Sequence, residues 1–285
     1  MSFDLSSAAR HLSSQGKEWW RSAVIYQVYP RSFSDSNGDG IGDLPGITAR
    51  LESLAALGID AVWLSPFMRS PQKDAGYDVS DYKDVDPLFG TLADFDNMLS
   101  RAHELGLRIL VDLVPNHTSD QHQWFKDALI EIEGSAERDF YHFKDGQGAN
   151  GELPPNNWVS MFGGPAWTRT TNPDGAPGQW YVHLFDSSQP DLNWENPKVE
   201  EAFEEILRFW LDRGVDGFRV DQPHAMGKAP GLPDHPDVER AGAGFIEGEA
   251  SPPMWFQESV HPIFRKWRAI LESYPGDRAM SGEAY

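Results

Sequence analysis

The chain has 285 residues, 40% of them hydrophobic and 24% charged, enough for one large core with an insertion. Its formal net charge of −20 has the wrong sign for nucleic acid or an anionic membrane, and its apolar runs are too short to span a bilayer. The absence of Cys excludes disulfides, a thiol nucleophile and zinc-thiolate chemistry, which fits a cytoplasmic protein acting on a neutral substrate.

Residues 1–18 read as a polar arm without the apolar core of a signal peptide. AVIYQVYP (23–30) reads as the first strand. In the next loop, DSNGDGIGD (35–43), Asp35, Asn37, Asp39 and Asp43 bear side-chain oxygens and Gly40 sits at the sharp turn. With the Ile41 carbonyl in seventh place, this matches the opening of a calcium loop. Gly46 stands where an EF-hand has its bidentate Glu, so the loop is not an EF-hand, but it can still ring a hard cation with oxygens.

Residues 44–58 carry apolar side chains at helical spacing and end on Gly58 as a C-cap. DAVWLSP (60–66) is the second strand. After it, GYDVSDY (76–82) offers Tyr77 as a ring for stacking on a sugar and Asp78 as an acceptor for hydroxyls. Residues 91–106 form a second helix, with Thr91 as N-cap and Gly106 past its end. LRILVDLVP (107–115) is the third strand, and DLVPNHTSD (112–120) gathers Asp112, Asn116 and His117 at its end. A neutral His there can hydrogen-bond a sugar hydroxyl.

The stretch that follows is rich in Gly, Pro, Asn and Trp and is too long for an ordinary connection, so 118–188 reads as a small inserted domain. Residues 197–214 form a third helix with Pro197 near its start. VDGFRVD (215–221) is the fourth strand, and the Pro-rich, acidic segment 223–257 reads as an elaborated loop over the active face. Residues 258–276 read as a helix interrupted early by Pro262, and RAMSGEAY (278–285) as the fifth strand.

Such alternation predicts an α/β fold with a parallel sheet covered by helices. Parallel strand ends bring Asp221 and Glu283 to one face, where barrel enzymes work. Glycoside cleavage needs such a pair, one carboxylate as nucleophile or base and one carboxyl as acid. Arg219 lies two residues before Asp221, on the same side of the strand, and can hold it ionised.

Together these motifs resemble the α-amylase family of glycoside hydrolases, and within it the oligo-1,6-glucosidase/α-glucosidase branch. The similarity runs from Trp19 to Tyr285 and rests on DSNGDGIGDLPGI, DLVPNH, QPDLNW (189–194), GFRVD and GEAY (282–285), in the family's order. The resemblance implies a (β/α)8 TIM barrel with an insertion after strand three, divided as 19–117, the insertion 118–188, and 189–285. It implies a retaining glycosidase that releases terminal α-linked glucose from oligosaccharides. Asp221 would be the nucleophile, Glu283 the general acid/base and Arg219 the residue orienting Asp221. Tyr77, Asp78 and His117 would line the glucose pocket. A structural Ca²⁺ or Mg²⁺ would sit at Asp35, Asn37, Asp39, Ile41 and Asp43.

Two departures shape the expectation. Gln222-Pro223 replaces the small or β-branched residue that follows the nucleophile in the branch, which leaves the linkage preference open. The family's Asn-His-Asp motif, whose Asp is a third catalytic carboxylate, does not occur. The resemblance therefore implies only strands one to five of the barrel, inactive alone and completed by a second chain or a longer frame. Two alternatives stand beside hydrolysis: a glucosyl transferase or isomerase on maltose, sucrose or trehalose, and a non-catalytic sugar-binding half.

Overall fold

The computed structural model describes residues 18–237 and 251–283. The expected polar arm, save Glu18, lies outside the described residues, as do 238–250 of the elaborated loop and Ala284 and Tyr285 of the last motif. In chain order the elements are β1 (Ile25–Val28), α1 (Pro30–Phe33), α2 (Leu44–Leu57), β2 (Ala61–Leu64), β3 (Met68–Arg69), β4 (Asp81–Val85), α3 (Leu92–Glu104) and β5 (Arg108–Leu113). After these come α4 (Gln123–Ile130), β6 (Phe143–Lys144), β7 (Trp167–Thr171), β8 (Pro177–Val182), α5 (Pro197–Arg213), β9 (Gly217–Val220), α6 (Val260–Glu272) and β10 (Ala279–Gly282).

Five strands form one sheet in the order β1-β2-β5-β9-β10, and every pairing is parallel. The apolar strands β2, β5 and β9 are mostly buried, as parallel strands covered by helices should be. At the sheet edge, Ile25 and Tyr26 of β1 are exposed. Gly217 is required where β9 meets β10, since a Cβ there would stand 2.0 Å from the Ala279 carbonyl oxygen.

The helices begin and end where the sequence says they should. Asp43 caps α2 by accepting the Gly46 N–H, and Gly58 closes it in the left-handed conformation. Thr91 and Asp94 form a reciprocal capping box on α3. Asn196 caps α5, with Pro197 at its first turn and Gly214 past its end. Helix α6 corrects one expectation: it runs through Pro262 without a break. That proline sits in the first turn, where its missing N–H has no intrahelical acceptor to lose.

Three features were not foreseen. Residues 81–85, expected as loop, form β4 and pair antiparallel with β3. Between β5 and β9 lie α4 and a three-stranded antiparallel sheet in the order β6-β8-β7. A second apolar cluster, including Trp158, Trp167, Phe185, Met254 and Trp255, joins that sheet to the loop following β9. The main core fills the space between the parallel sheet and its helices.

Candidate active site

The site is built by strand register. Asp112 of β5 pairs with Arg219 of β9, and Gly282 of β10 pairs with Val220, so Glu283 emerges beside Asp221. The backbone continues the ladder one step further: Asp221 N–H donates to the Leu113 carbonyl at 2.8 Å, and Glu283 N–H to the Val220 carbonyl at 2.9 Å. Three carboxylates are thereby delivered to the same end of adjacent strands.

Arg219 joins all three. Its Nη1 lies 2.7 Å from Asp221 Oδ1 and 3.1 Å from Asp112 Oδ1, and its Nη2 lies 2.8 Å from Glu283 Oε2. The guanidinium is stacked against Trp63, 4.7 Å from the ring centroid, and against Tyr77 at 5.9 Å. Trp63 Nε1 also donates to Asp112 Oδ2 at 2.9 Å, and the Tyr77 hydroxyl approaches the same oxygen at 3.4 Å. Ile25, Trp63, Leu110, Arg219 and Glu283 line a cavity of about 390 Å³ beneath the cluster.

One cation against three carboxylates, two of them buried and Glu283 part-exposed, sets the electrostatics. Burial pushes Asp112 up to about 7, with Arg219 opposing. Burial and the Asp112 charge likewise raise Asp221 well above the usual carboxylate range, again against Arg219. The two carboxyls therefore titrate as a pair that retains a proton near neutrality. Burial works to lower the Arg219 pKa, but the surrounding anions outweigh it and raise it. Burial and the Asp112 charge hold the Tyr77 phenol protonated.

Of the expected sugar-facing residues, Tyr77 and Arg219 reach this cluster. Asp78 is fully buried beside it and accepts from Ser70 Oγ, Lys73 N–H and Asp74 N–H, which fixes the 70–74 loop. His117 is also buried. Asn116 Nδ2 stands 3.1 Å from its Nδ1 and Gln189 Nε2 stands 3.1 Å from its Nε2. Burial lowers His117 to about 4, so it is neutral. Gln189 belongs to the QPDLNW segment, which runs beside the end of β5: Leu192 N–H donates to Asn116, and Thr118 N–H to Pro190.

Sequence reasoning missed two contributors. Trp63 was read only as strand, although it pairs with Leu110, two residues before Asp112 in β5, and its ring lies against Arg219. Lys228 was not singled out at all. It is buried, with Nζ 2.8 Å from Asp191 Oδ2 and 2.9 Å from Asn116 Oδ1, and it also bonds the Ala225 carbonyl. A single lysine in a Pro- and Gly-rich loop gives no sequence signal of burial.

The 35–43 loop is held by its own hydrogen bonds. Asp35 accepts from the Asn37, Gly38 and Gly40 N–H groups, Asn37 from Asp39 N–H, and Asp39 from Ile41 N–H. Asp43 gives both carboxylate oxygens to Gly46 and Ser36. Among the described residues, no three acidic or histidine side chains converge closely enough to hold a metal ion. No helix among them is long and apolar enough to cross a membrane.

Comparison with known proteins gives consistent results. The family described as "Alpha amylase, catalytic domain" matches residues 27–285. A "Probable alpha-glucosidase" of Rhizobium meliloti (strain 1021) is 45% identical over 284 residues, covering 97% of this chain and 50% of the relative. The "Oligo-1,6-glucosidase" of Parageobacillus thermoglucosidasius is 52% identical over 216 residues, covering 76% of this chain and 37% of that protein. Among solved structures, the alpha-glucosyl transfer enzyme XgtA superposes with a TM-score of 0.84 at 44% identity, covering 94% of this chain and 50% of that one. The trehalulose synthase MutB of Pseudomonas mesoacidophila MX-45 superposes at 0.82 with 42% identity, covering 94% of this chain and 45% of that one. The chain thus spans half the length, or less, of these relatives.

Proposed function

This chain belongs to the α-amylase catalytic-domain family, whose fold class is the (β/α)8 barrel, and on that premise we propose that it serves a retaining α-glucosidase. Asp221 attacks the anomeric carbon of a terminal α-linked glucose while Glu283 protonates the leaving oxygen. Glu283, now a carboxylate, then activates the water that releases α-glucose. Arg219 favours the ionised form of Asp221, and Tyr77, Asp78 and His117 shape the glucose pocket. Segment 118–188 is the inserted domain, and Gln189, just past its end, reaches His117.

The observation that carries this reading is the single guanidinium bonded to both Asp221 and Glu283. Both carboxylates lie within hydrogen-bonding reach of one side chain, which favours the closer spacing of retaining enzymes over the wider inverting one. In the protein that carries this chain, Asp221→Asn should lower turnover of an aryl α-glucoside by roughly 10³-fold or more, with the fold retained. Wild-type-like turnover by the folded variant would overturn the assignment.

A second reading replaces water with an acceptor sugar. It is favoured by the likeness to a glucosyl transfer enzyme and a trehalulose synthase. The ratio of transfer products to free glucose at rising maltose or sucrose concentration separates the two. We further propose that another segment, in a longer chain or a second one, covers the exposed β1 edge at Val24, Ile25 and Tyr26. The proposed cation at Asp35, Asn37, Asp39, Ile41 and Asp43 is Ca²⁺ or Mg²⁺. It would use lone pairs that remain after each oxygen has accepted its N–H bond, with the side chains turning inward to meet it. Cytoplasmic residence is part of the proposal and rests on sequence alone.

A further inference from the structure

Gln222 follows Asp221 directly and stands in the left-handed region, with φ 43° and ψ 48°. A non-glycine residue is uncommon there, and the proline that follows it disfavours a helical conformation. What this turn accomplishes is visible across the site. It aims the Gln222 side-chain amide at Glu283 Oε2, 3.1 Å away, and the Gln222 backbone N–H at the same oxygen at 3.4 Å. Arg219 Nη2 reaches that oxygen too, at 2.8 Å. Among the described residues, three N–H donors, all from the segment that carries Asp221, therefore approach Glu283 Oε2.

We propose that Gln222 is a positioning residue for the acid/base, and that Oε1 of Glu283 is the oxygen that carries the transferable proton. The inference rests on the α-glucosidase reading. An oxygen facing three N–H donors is a poor place for an O–H, because donor hydrogens would face an acid hydrogen. Pinning Oε2 also fixes the carboxyl plane and hence the direction of Oε1. In the first step the O–H bond at Oε1 breaks and its electron pair stays on Glu283. The proton goes to the glycosidic oxygen, whose bond to the anomeric carbon breaks as an Asp221 oxygen bonds that carbon. In the second step a water O–H proton returns to Oε1 while the water oxygen displaces Asp221. Gln222 touches neither reacting atom and acts only through Glu283.

The test compares leaving groups. A dinitrophenyl α-glucoside leaves with little help from an acid, whereas maltose needs the proton. In the protein that carries this chain, Gln222→Met should lower kcat/KM on maltose by ~10-fold or more and on the dinitrophenyl glucoside by less than about 3-fold. Glu283→Gln should show the same skew more strongly. Gln222→Asn keeps an amide and tolerates the left-handed backbone, and it should recover part of the maltose rate. Equal losses on both substrates, or none, overturn the role. The contact is also read without turnover: the Gln222 side-chain amide resonance should shift in Glu283→Ala, and an unmoved resonance overturns the contact. Turnover of neither glucoside by the unmutated protein overturns the α-glucosidase reading instead, and the resonance separates that failure from loss of the contact.

Discussion

Arg219, part-buried on β9, and Lys228, buried in the loop after it, are matched to anions in opposite ways. Arg219 faces Asp112, Asp221 and Glu283, so anions outnumber the cation. Lys228 faces one carboxylate, Asp191, with neutral oxygens from Asn116 and Ala225 completing its shell. A surplus of carboxyls, in which Asp112 and Glu283 help raise Asp221, is an arrangement for moving protons and bonding carbon. A balanced pair can only hold geometry. Here it ties the loop after β9 to the QPDLNW segment and to the end of β5. The lesson is that the ratio of charges around a cation, more than its burial, separates a reactive centre from a fastening.

If Lys228 is a fastening, removing it should cost stability first. Lys228→Met leaves Asp191 buried without its cation, which should destabilise the fold by ~3–5 kcal/mol. Asp191 Oδ2 accepts no well-directed hydrogen bond to soften that loss. The double replacement Lys228→Met with Asp191→Leu should recover much of the deficit, because no charge then remains unpaired. Denaturant unfolding of both variants checks this. A single variant as stable as wild type would erase the contrast between the two centres.

The two centres should also differ in the sign of their pH dependence. Burial lowers His117 to about 4 and His142, near Lys228, to about 3. Their folded values lie below the ordinary histidine value, so their contribution is present above ~6.5 and is lost as pH falls through the folded values. Asp112 is raised to about 7. Its contribution is therefore complete below ~4 and is lost as pH rises through 7. Between these limits the slopes oppose, each at most ~1.4 kcal/mol per pH unit for one group. Asp112→Asn should steepen the loss of stability on acidification, and His142→Phe should flatten it. Unfolding free energies measured from pH 4 to pH 7 decide the matter; the same slope in both variants would mean that the centres do not titrate as described.

Much of this was legible in the sequence, and what was not has physical reasons. Helix caps such as Asp43 and Thr91, and continuous apolar strands, obey local rules, so the parallel elements were read close to their true bounds. Pro262 misled because a proline is harmless in a first turn. The β3–β4 pairing was hidden because two-residue β3 has no periodicity to detect. At the site, Arg219 beside Asp221 followed from strand alternation. Trp63 and Lys228 did not, because their roles depend on strand neighbours and on a loop folding back, and neither is encoded in local spacing.

The smallest expected effect concerns a third group of carboxylates, which has no cation among its present partners. The Gly40 and Gly38 N–H groups hold exposed Asp35 below the usual carboxylate range. Backbone amides therefore do in this loop some of the work that Arg219 does in the centre. An added Ca²⁺ or Mg²⁺ would have to turn Asp35, Asn37 and Asp39 toward a common point and share Asp43 with the cap of α2. That rearrangement opposes binding, so the gain should be modest. A cation at about 100 times its dissociation constant stabilises by ~2.7 kcal/mol, and less if the unfolded chain also binds it. Melting in excess Ca²⁺ or Mg²⁺ should therefore exceed melting in chelator by up to roughly 5 °C, and Asp39→Ala should abolish the difference. Identical curves would show that backbone amides alone hold the loop, without the cation that compensates carboxylates in the Arg219 and Lys228 centres.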